Sequence, residues 1–214
     1  MNIAVLKWFA YASMICDHVG YIFFPQIYHF RILGRFAFPI FAAIFIKGFK
    51  ASKHKWCISE KLFITGVITQ FAIALLGRTD FNILFPFLLF SLQVQLAGHS
   101  RKCLRYLPPL LVPLYHWCDY GLYGFALLCF FWWYPRKVGD RLLYYALLTV
   151  ASGLLFEYNA YELLAFPAVD LAMRCDHWGP RYNFYFLYAF QWWAIAIFYS
   201  FANFPIIPYK VLNL

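Results

Sequence analysis

Residues 31–55 read RILGRFAFPIFAAIFIKGFKASKHK, and this stretch decides the class of the fold. The apolar run from 31 to 49, rich in Phe, Ile and Ala, is long enough to cross a hydrocarbon core about 30 Å thick. It closes on Lys47, Lys50, Lys53, His54 and Lys55, a basic run of the kind retained on the cytoplasmic side of a span. Its other end carries Arg31, Gly34 and Arg35. An ionisable side chain inside hydrocarbon costs roughly 2–4 kcal/mol on insertion scales, so it is kept there by a partner or by a task.

The rest of the chain repeats this grammar. Of its 214 residues 64% are hydrophobic, 24% aromatic and only 13% charged, against about 25% charged in an ordinary soluble domain. Apolar segments fall at roughly 3–24, 31–49, 59–76, 81–97, 104–117, 121–135, 141–156, 160–173 and 183–203. The expectation is an all-α, polytopic transmembrane bundle with eight or nine spans, forming one integral-membrane domain over 1–214. The first segment lacks the short apolar core and small-residue cleavage site of a signal peptide and reads as a retained helix. The fifth, broken by Pro108, Pro109 and Pro113, and the eighth, with Pro167 and Asp170, are short enough to be tilted, broken or re-entrant.

Charge orders the segments. Lys47 to Lys55, then Arg101, Lys102 and Arg105, then Arg136, Lys137 and Arg141, then Arg174 and Arg181 follow alternate segments. The loops between them hold Arg78, Asp80, Asp119, Glu157 and Glu162. Basic loops on alternate sides put the N-terminus in the cytoplasm. The net charge of +9 is thereby used in loops, and no basic groove with interleaved aromatics points to nucleic acid. Cys16, Cys57, Cys103, Cys118, Cys129 and Cys175 have neither metal-type spacing nor the pattern of a disulfide framework. Aromatic pairs such as Trp132-Trp133 and Trp192-Trp193 suit the interfacial belt.

In this topology Asp17-His18 falls in the outer half of the first segment, level with Arg31, Gly34 and Arg35 in the second. A carboxylate, an imidazole and two guanidinium groups could build one polar pocket. His18 reads either as a hydrogen-bonded core residue or as a base working near neutral pH. Asp17 points about 100° away from it on a helix and could orient the ring or pair with Arg35. Arg35 reads as a counter-ion or as a clamp on an oxyanion, and Gly34 permits close approach of a neighbouring helix. Pro39 frees a carbonyl one turn back, near Arg35, and kinks the helix. Asn82 reads as a helix cap or as a pocket donor, and Asp170 with Arg174 as an i,i+4 pair. Lys47, Lys50 and Lys53 read as topology determinants or as attraction for an anionic donor or acidic headgroups. No nucleophilic Ser in a Gly-flanked turn, metal-type His pair or phosphate-cradling Gly loop is present, which argues against a serine hydrolase, a zinc protease and an ATPase.

In order along the chain come Leu6-Lys7, Met14, Asp17-His18, Leu33-Gly34-Arg35-Phe36-Ala37-Phe38-Pro39-Ile40-Phe41, Gly48 and the basic stretch to His54. Thr69-Gln70-Phe71-Ala72, Asn82-Ile83-Leu84-Phe85, Tyr120-Gly121-Leu122-Tyr123-Gly124 and Tyr188-Ala189 follow. With these the chain resembles the TraX family, membrane proteins that acetylate the N-terminus of conjugative pilin. The resemblance is dense to about residue 97 and patchy beyond. It implies an acetyltransferase of the bacterial inner membrane, bathed in membrane lipids, with acetyl-CoA as donor and a pilin subunit as partner. Asp17, His18, Arg35 and Asn82 would be the functional positions. Beside that resemblance, Arg31, Lys47, Lys50, Lys53 and Gln191 are read, with Asn82, as contacts to substrate or donor. Two positions depart from the family pattern: Gln191 stands where a histidine is usual in the last helix, and Lys61 where an arginine is expected. A glutamine donates a hydrogen bond but takes up no proton at neutral pH. One rival reading is therefore a pilin-binding assembly protein with weakened chemistry; another is a small proton-coupled transporter, because Asp-His-Arg sets inside membranes also serve proton relays.

Overall fold

The computed structural model describes residues 3–101, 104, 106–156, 160–175 and 184–201. Lys102, Cys103, Arg105, Glu157 and Arg181, each invoked above, lie outside them. The described residues are helical: α1 (Ile3–Phe23), α2 (Tyr28–Gly34), α3 (Ala37–Ala51), α4 (Lys55–Leu75), α5 (Leu84–Ala97), α6 (Gly121–Trp133), α7 (Val138–Phe156), α8 (Phe166–Arg174) and α9 (Phe184–Phe201). Two 3-10 segments, Pro108–Trp117 and Ala160–Ala165, complete them. Three helical stretches, His29–Ala51, Lys55–Leu75 and Phe184–Phe201, are long and apolar enough to cross a membrane, and Leu84–Ala97 and Gly121–Trp133 are shorter apolar helices. The exposed faces agree: Phe63, Ile64, Ile68, Phe71 and Leu75 form a bare apolar stripe along α4, which water would not tolerate at that extent.

The second apolar segment is two helices rather than one kinked helix. Arg35 and Phe36 form a turn in which their amides bond back three residues, to Ile32 and Leu33. Pro39 then sits in the first turn of α3, where its missing N–H leaves no helical bond unmade. The break places Arg35 between the two helices.

The chain divides into two compact units. The first comprises residues 1–52 and 123–182. Here α1 packs on α2 and α3, and α3 packs on α8. Helices α3 and α6 run side by side in the same direction, since Phe38 meets Tyr123 (6.4 Å between rings) near their starts and Phe49 meets Trp132 (6.5 Å) near their ends. Between these ends lies a dry layer that includes Ile40, Leu127, Leu128 and Phe131, all fully buried.

The second unit comprises residues 53–122 and 183–214, in which α4 packs on α5 and α9. One end of the α4–α5 pair is closed by hydroxyl and amide contacts: Ser59 to Ser91 (2.8 Å) and Gln95 Nε2 to Ser59 (2.8 Å). The proline-broken fifth segment returns along α5 as a 3-10 helix. Its three prolines lack the amide donors that an α-helix needs. Ten 3-10 residues cover about 20 Å and the fourteen of α5 about 21 Å, so the return spans the whole helix. Gln93 ties the two together, donating to Pro108 O (2.9 Å) and accepting from the Tyr115 hydroxyl (2.8 Å). A single backbone bridge, Phe81 with Cys118, closes the far end. Beyond it Tyr120 (φ 65) and Gly121 (φ 46) turn left-handed into α6, which explains a glycine at 121.

Candidate functional site

The first unit brings Asp17, Arg31, Gly34 and Arg35 together at the α1–α2 contact. Gly34 is buried, and a Cβ built there would run into Cβ, Cγ and Oδ1 of Asp17. Glycine at 34 is therefore what lets the two helices close over the carboxylate. Ser13, one turn below Asp17 on α1, fastens the same contact by donating from Oγ to the Leu33 carbonyl. Gly20 packs against Phe30 in the same way at the upper end.

Arg31 is the counter-ion here. Its Nη1 lies 3.3 Å from Asp17 Oδ1, and its guanidinium stacks 4.9 Å over the Tyr21 ring. The stacking holds the fork in one plane, as suits arginine better than lysine. His18 follows Asp17 on α1 and is half-buried. The carboxylate one residue before it is held by Arg31.

Three residues join this cluster that local sequence patterns do not reveal. Glu162, in the 3-10 segment before α8, is 1% exposed. Its Oε2 accepts a hydrogen bond from the Tyr123 hydroxyl, and its backbone carbonyl accepts one from Tyr145 at 2.9 Å. Its Oε1 is buried with no hydrogen-bond partner among the described residues. Arg35 and Asp17 lie close enough to act on its charge. Read by composition, Glu162 is one acidic residue of a loop. The available signal was a carboxylate set in Ala160-Tyr161-Glu162-Leu163-Leu164-Ala165-Phe166, an otherwise apolar run. Tyr123 stood in the matched Tyr120–Gly124 text without an assigned part.

The lysines have other work. Lys47 Nζ donates to the carbonyls of Ala172 (3.4 Å), Met173 (3.1 Å) and Cys175, at the C-terminus of α8. Lys50 Nζ reaches the carbonyls of Phe131 (3.5 Å) and Trp132 at the end of α6 and stands 4.9 Å over the Trp132 ring. Each satisfies carbonyls that the helix leaves open and meets the negative end of its dipole. The two ammonium groups are held at helix ends. Lys53, in the second unit, is exposed. Near these caps Asp170 is gripped by Tyr134 (2.6 Å), Arg141 (3.0 Å) and Arg174. The i,i+4 pair expected on α8 is thus part of a larger cluster.

Asn82, in the second unit, is fully buried and acts as the cap. Its Oδ1 accepts from the Leu84 amide at 3.0 Å, opening α5. Its Nδ2 donates to Gly66 O (2.8 Å) and to Gln70 Oε1 (3.0 Å), which also takes its backbone N–H. Both amide hydrogens are engaged, so Asn82 clamps α4 to α5 and has no N–H left for a substrate. Arg78 bridges Asp119 at 2.9 Å beside it. Burial, helped by the Asp119 charge, pushes the neighbouring Cys118 thiol up to about 12, which leaves it inert. Gln191 is buried in α9 next to the fully buried Trp192. Tyr188, one turn before it, hydrogen-bonds the Ile83 backbone within the field of Arg78 and Asp119.

A family model described as TraX protein matches residues 2–199, nearly the whole chain. No curated protein and no solved structure matches it.

Proposed function

The chain belongs to the TraX family, and from that premise we propose that it is a membrane acetyltransferase. It takes the acetyl group of acetyl-CoA and places it on the N-terminal amine of a membrane-inserted pilin subunit. It works as a multi-pass protein of the bacterial inner membrane with its N-terminus in the cytoplasm. The observation that carries this reading is the α1–α2 contact, where Gly34 admits Asp17 beside Arg31.

His18 removes a proton from the attacking amine, a task suited to an imidazole near neutral pH; as the new C–N bond forms, the acetyl C–S bond breaks and coenzyme A leaves as the thiol, taking up that proton. Asp17, held by Arg31, fixes the electrostatic setting of the ring next to it. Arg35, presented at the α2–α3 break, steadies the negative charge that grows on the acetyl oxygen. Asn82 supports the fold of its own unit and touches no reactant.

The test is transfer of labelled acetyl to a synthetic pilin N-terminus by the purified protein in lipid vesicles. His18→Ala should lower the rate by about 10²–10⁴-fold, the usual worth of a general base, while the protein still inserts and folds. Undiminished transfer by that variant removes His18 from the mechanism. The buried Gln191, where the family usually has histidine, favours a second reading in which the fold binds pilin with weakened chemistry. A large gain in rate for Gln191→His would support it.

A further inference from the structure

Glu162 is the most buried charged group of the cluster, at 1% exposure, and its Oε1 has no hydrogen-bond partner among the described residues. The residue is fixed at three points: Tyr123 holds Oε2, Tyr145 holds the backbone carbonyl, and the 3-10 segment fixes the main chain. An acceptor oxygen fixed in this way and left without a hydrogen-bond partner among the described residues costs about 1–3 kcal/mol. Such a cost persists where a ligand supplies the missing donor.

The chemistry of the surroundings narrows that donor. Arg31 is matched by Asp17 at 3.3 Å. Glu162 feels the positive charge of Arg35 and the negative charge of Asp17, with no hydrogen bond to either at Oε1. In its ionised form a carboxylate oxygen only accepts hydrogen bonds, so Oε1 then takes an N–H donor and has nothing to give a carbonyl. The donor must also enter an apolar setting, since Ala165 and Val169 beside this segment and Phe38 across from Tyr123 are all buried. A primary amine at the end of an apolar peptide meets each condition.

We propose that Glu162 Oε1 is the recognition point for the acceptor's free amine, and that Tyr123 and Tyr145 position it for that task. This rests on the reading of the α1–α2 cluster as the place of acetyl transfer and names the residue that selects its acceptor. It also supplies discrimination: once acetylated, the product amide carries no charge and a single N–H, and the Glu162 oxygen loses its hold on it.

The experiment is equilibrium binding to the full-length protein in lipid nanodiscs, without acetyl-CoA, so that no transfer is needed. The probes are an apolar Leu/Ala helical peptide with a free α-amine and the same peptide N-acetylated. The wild type should bind the free amine at least about tenfold more tightly, and Glu162→Gln, which keeps the shape and Tyr123 contact, should lose that preference. Tyr123→Phe should weaken it partly. Equal affinity for both peptides in the wild type overturns the proposal, as does a preference that survives in Glu162→Gln. If the free-amine preference depends on Glu162 but no acetyl is ever transferred, amine recognition stands and the acetyltransferase reading fails. Normal transfer by Glu162→Gln, with an unchanged KM for the peptide, would uphold the acetyltransferase reading and overturn amine recognition at Glu162.

Discussion

Glu162 and Asp170 lie eight residues apart on one stretch of chain, at 1% and 3% exposure, and they have opposite surroundings. Both oxygens of Asp170 are engaged, by Tyr134 and Arg141 on one side and Arg174 on the other. Glu162 has one oxygen on Tyr123 and one without a hydrogen-bond partner among the described residues. Asp170 joins the ends of α6, α7 and α8, at the end where Lys47 and Lys50 close helix C-termini. Glu162 faces the other polar layer, with Asp17 and Arg35. A carboxylate whose valences are all met serves architecture, whereas one held rigidly with an oxygen open serves a ligand. The first unit thus has one carboxylate with both oxygens engaged and one with an oxygen lacking a hydrogen-bond partner among the described residues, with a buried apolar layer between them.

The largest effect that tests this contrast is on stability. Asp170→Ala leaves the largely buried Arg141 without its carboxylate. Removing one partner of a buried pair typically costs about 3–5 kcal/mol, to be read as a lowered midpoint of denaturant unfolding in detergent. Transfer per folded molecule should stay near that of the wild type; a selective loss of transfer would erase the distinction between the two ends. Next comes Gly34→Ala, whose added methyl collides with Asp17. We expect a cost of about 1–3 kcal/mol from overpacking together with near-complete loss of transfer, and normal activity in that variant would show that the α1–α2 contact is not the site. Asn82→Ala removes a helix cap worth about 1–2 kcal/mol and should leave the specific rate unchanged, since Asn82 has no hydrogen left for substrate. A fall in kcat or a rise in KM beyond the loss of folded protein would return Asn82 to the pocket. The smallest effect belongs to Lys50→Met, which forfeits about 0.3–1 kcal/mol of helix-end attraction and should not alter the KM for acetyl-CoA.

The sequence carried the broad outline because the outline depends on local signals. Apolar length marks the helices, Pro39 announces an irregularity without showing that the segment divides at Arg35 and Phe36, and the spacing places Asp17, Arg31 and the small Gly34 on facing helices. The fifth segment's prolines announced irregular structure, though not that it would return along α5 in a tight 3-10 winding. Parts of the site stayed hidden because they depend on partners distant in the chain. Lys47 meets Cys175 across 128 residues, so a basic run that reads as a landing surface contains two helix caps. Tyr123 and Glu162 are joined across 39 residues, and neither has a periodicity that points to the other. Asn82 was legible as a cap from its position before an apolar run, and its hydrogen bonds follow that reading.

The central claim is that the α1–α2 cluster transfers an acetyl group to a pilin amine. Its most direct test is the intact mass of pilin from cells that express the wild-type chain, His18→Ala, or neither. The account predicts an added acetyl mass on pilin with the wild type alone. Unmodified pilin in the presence of well-expressed wild-type protein, or full acetylation by His18→Ala, would contradict it.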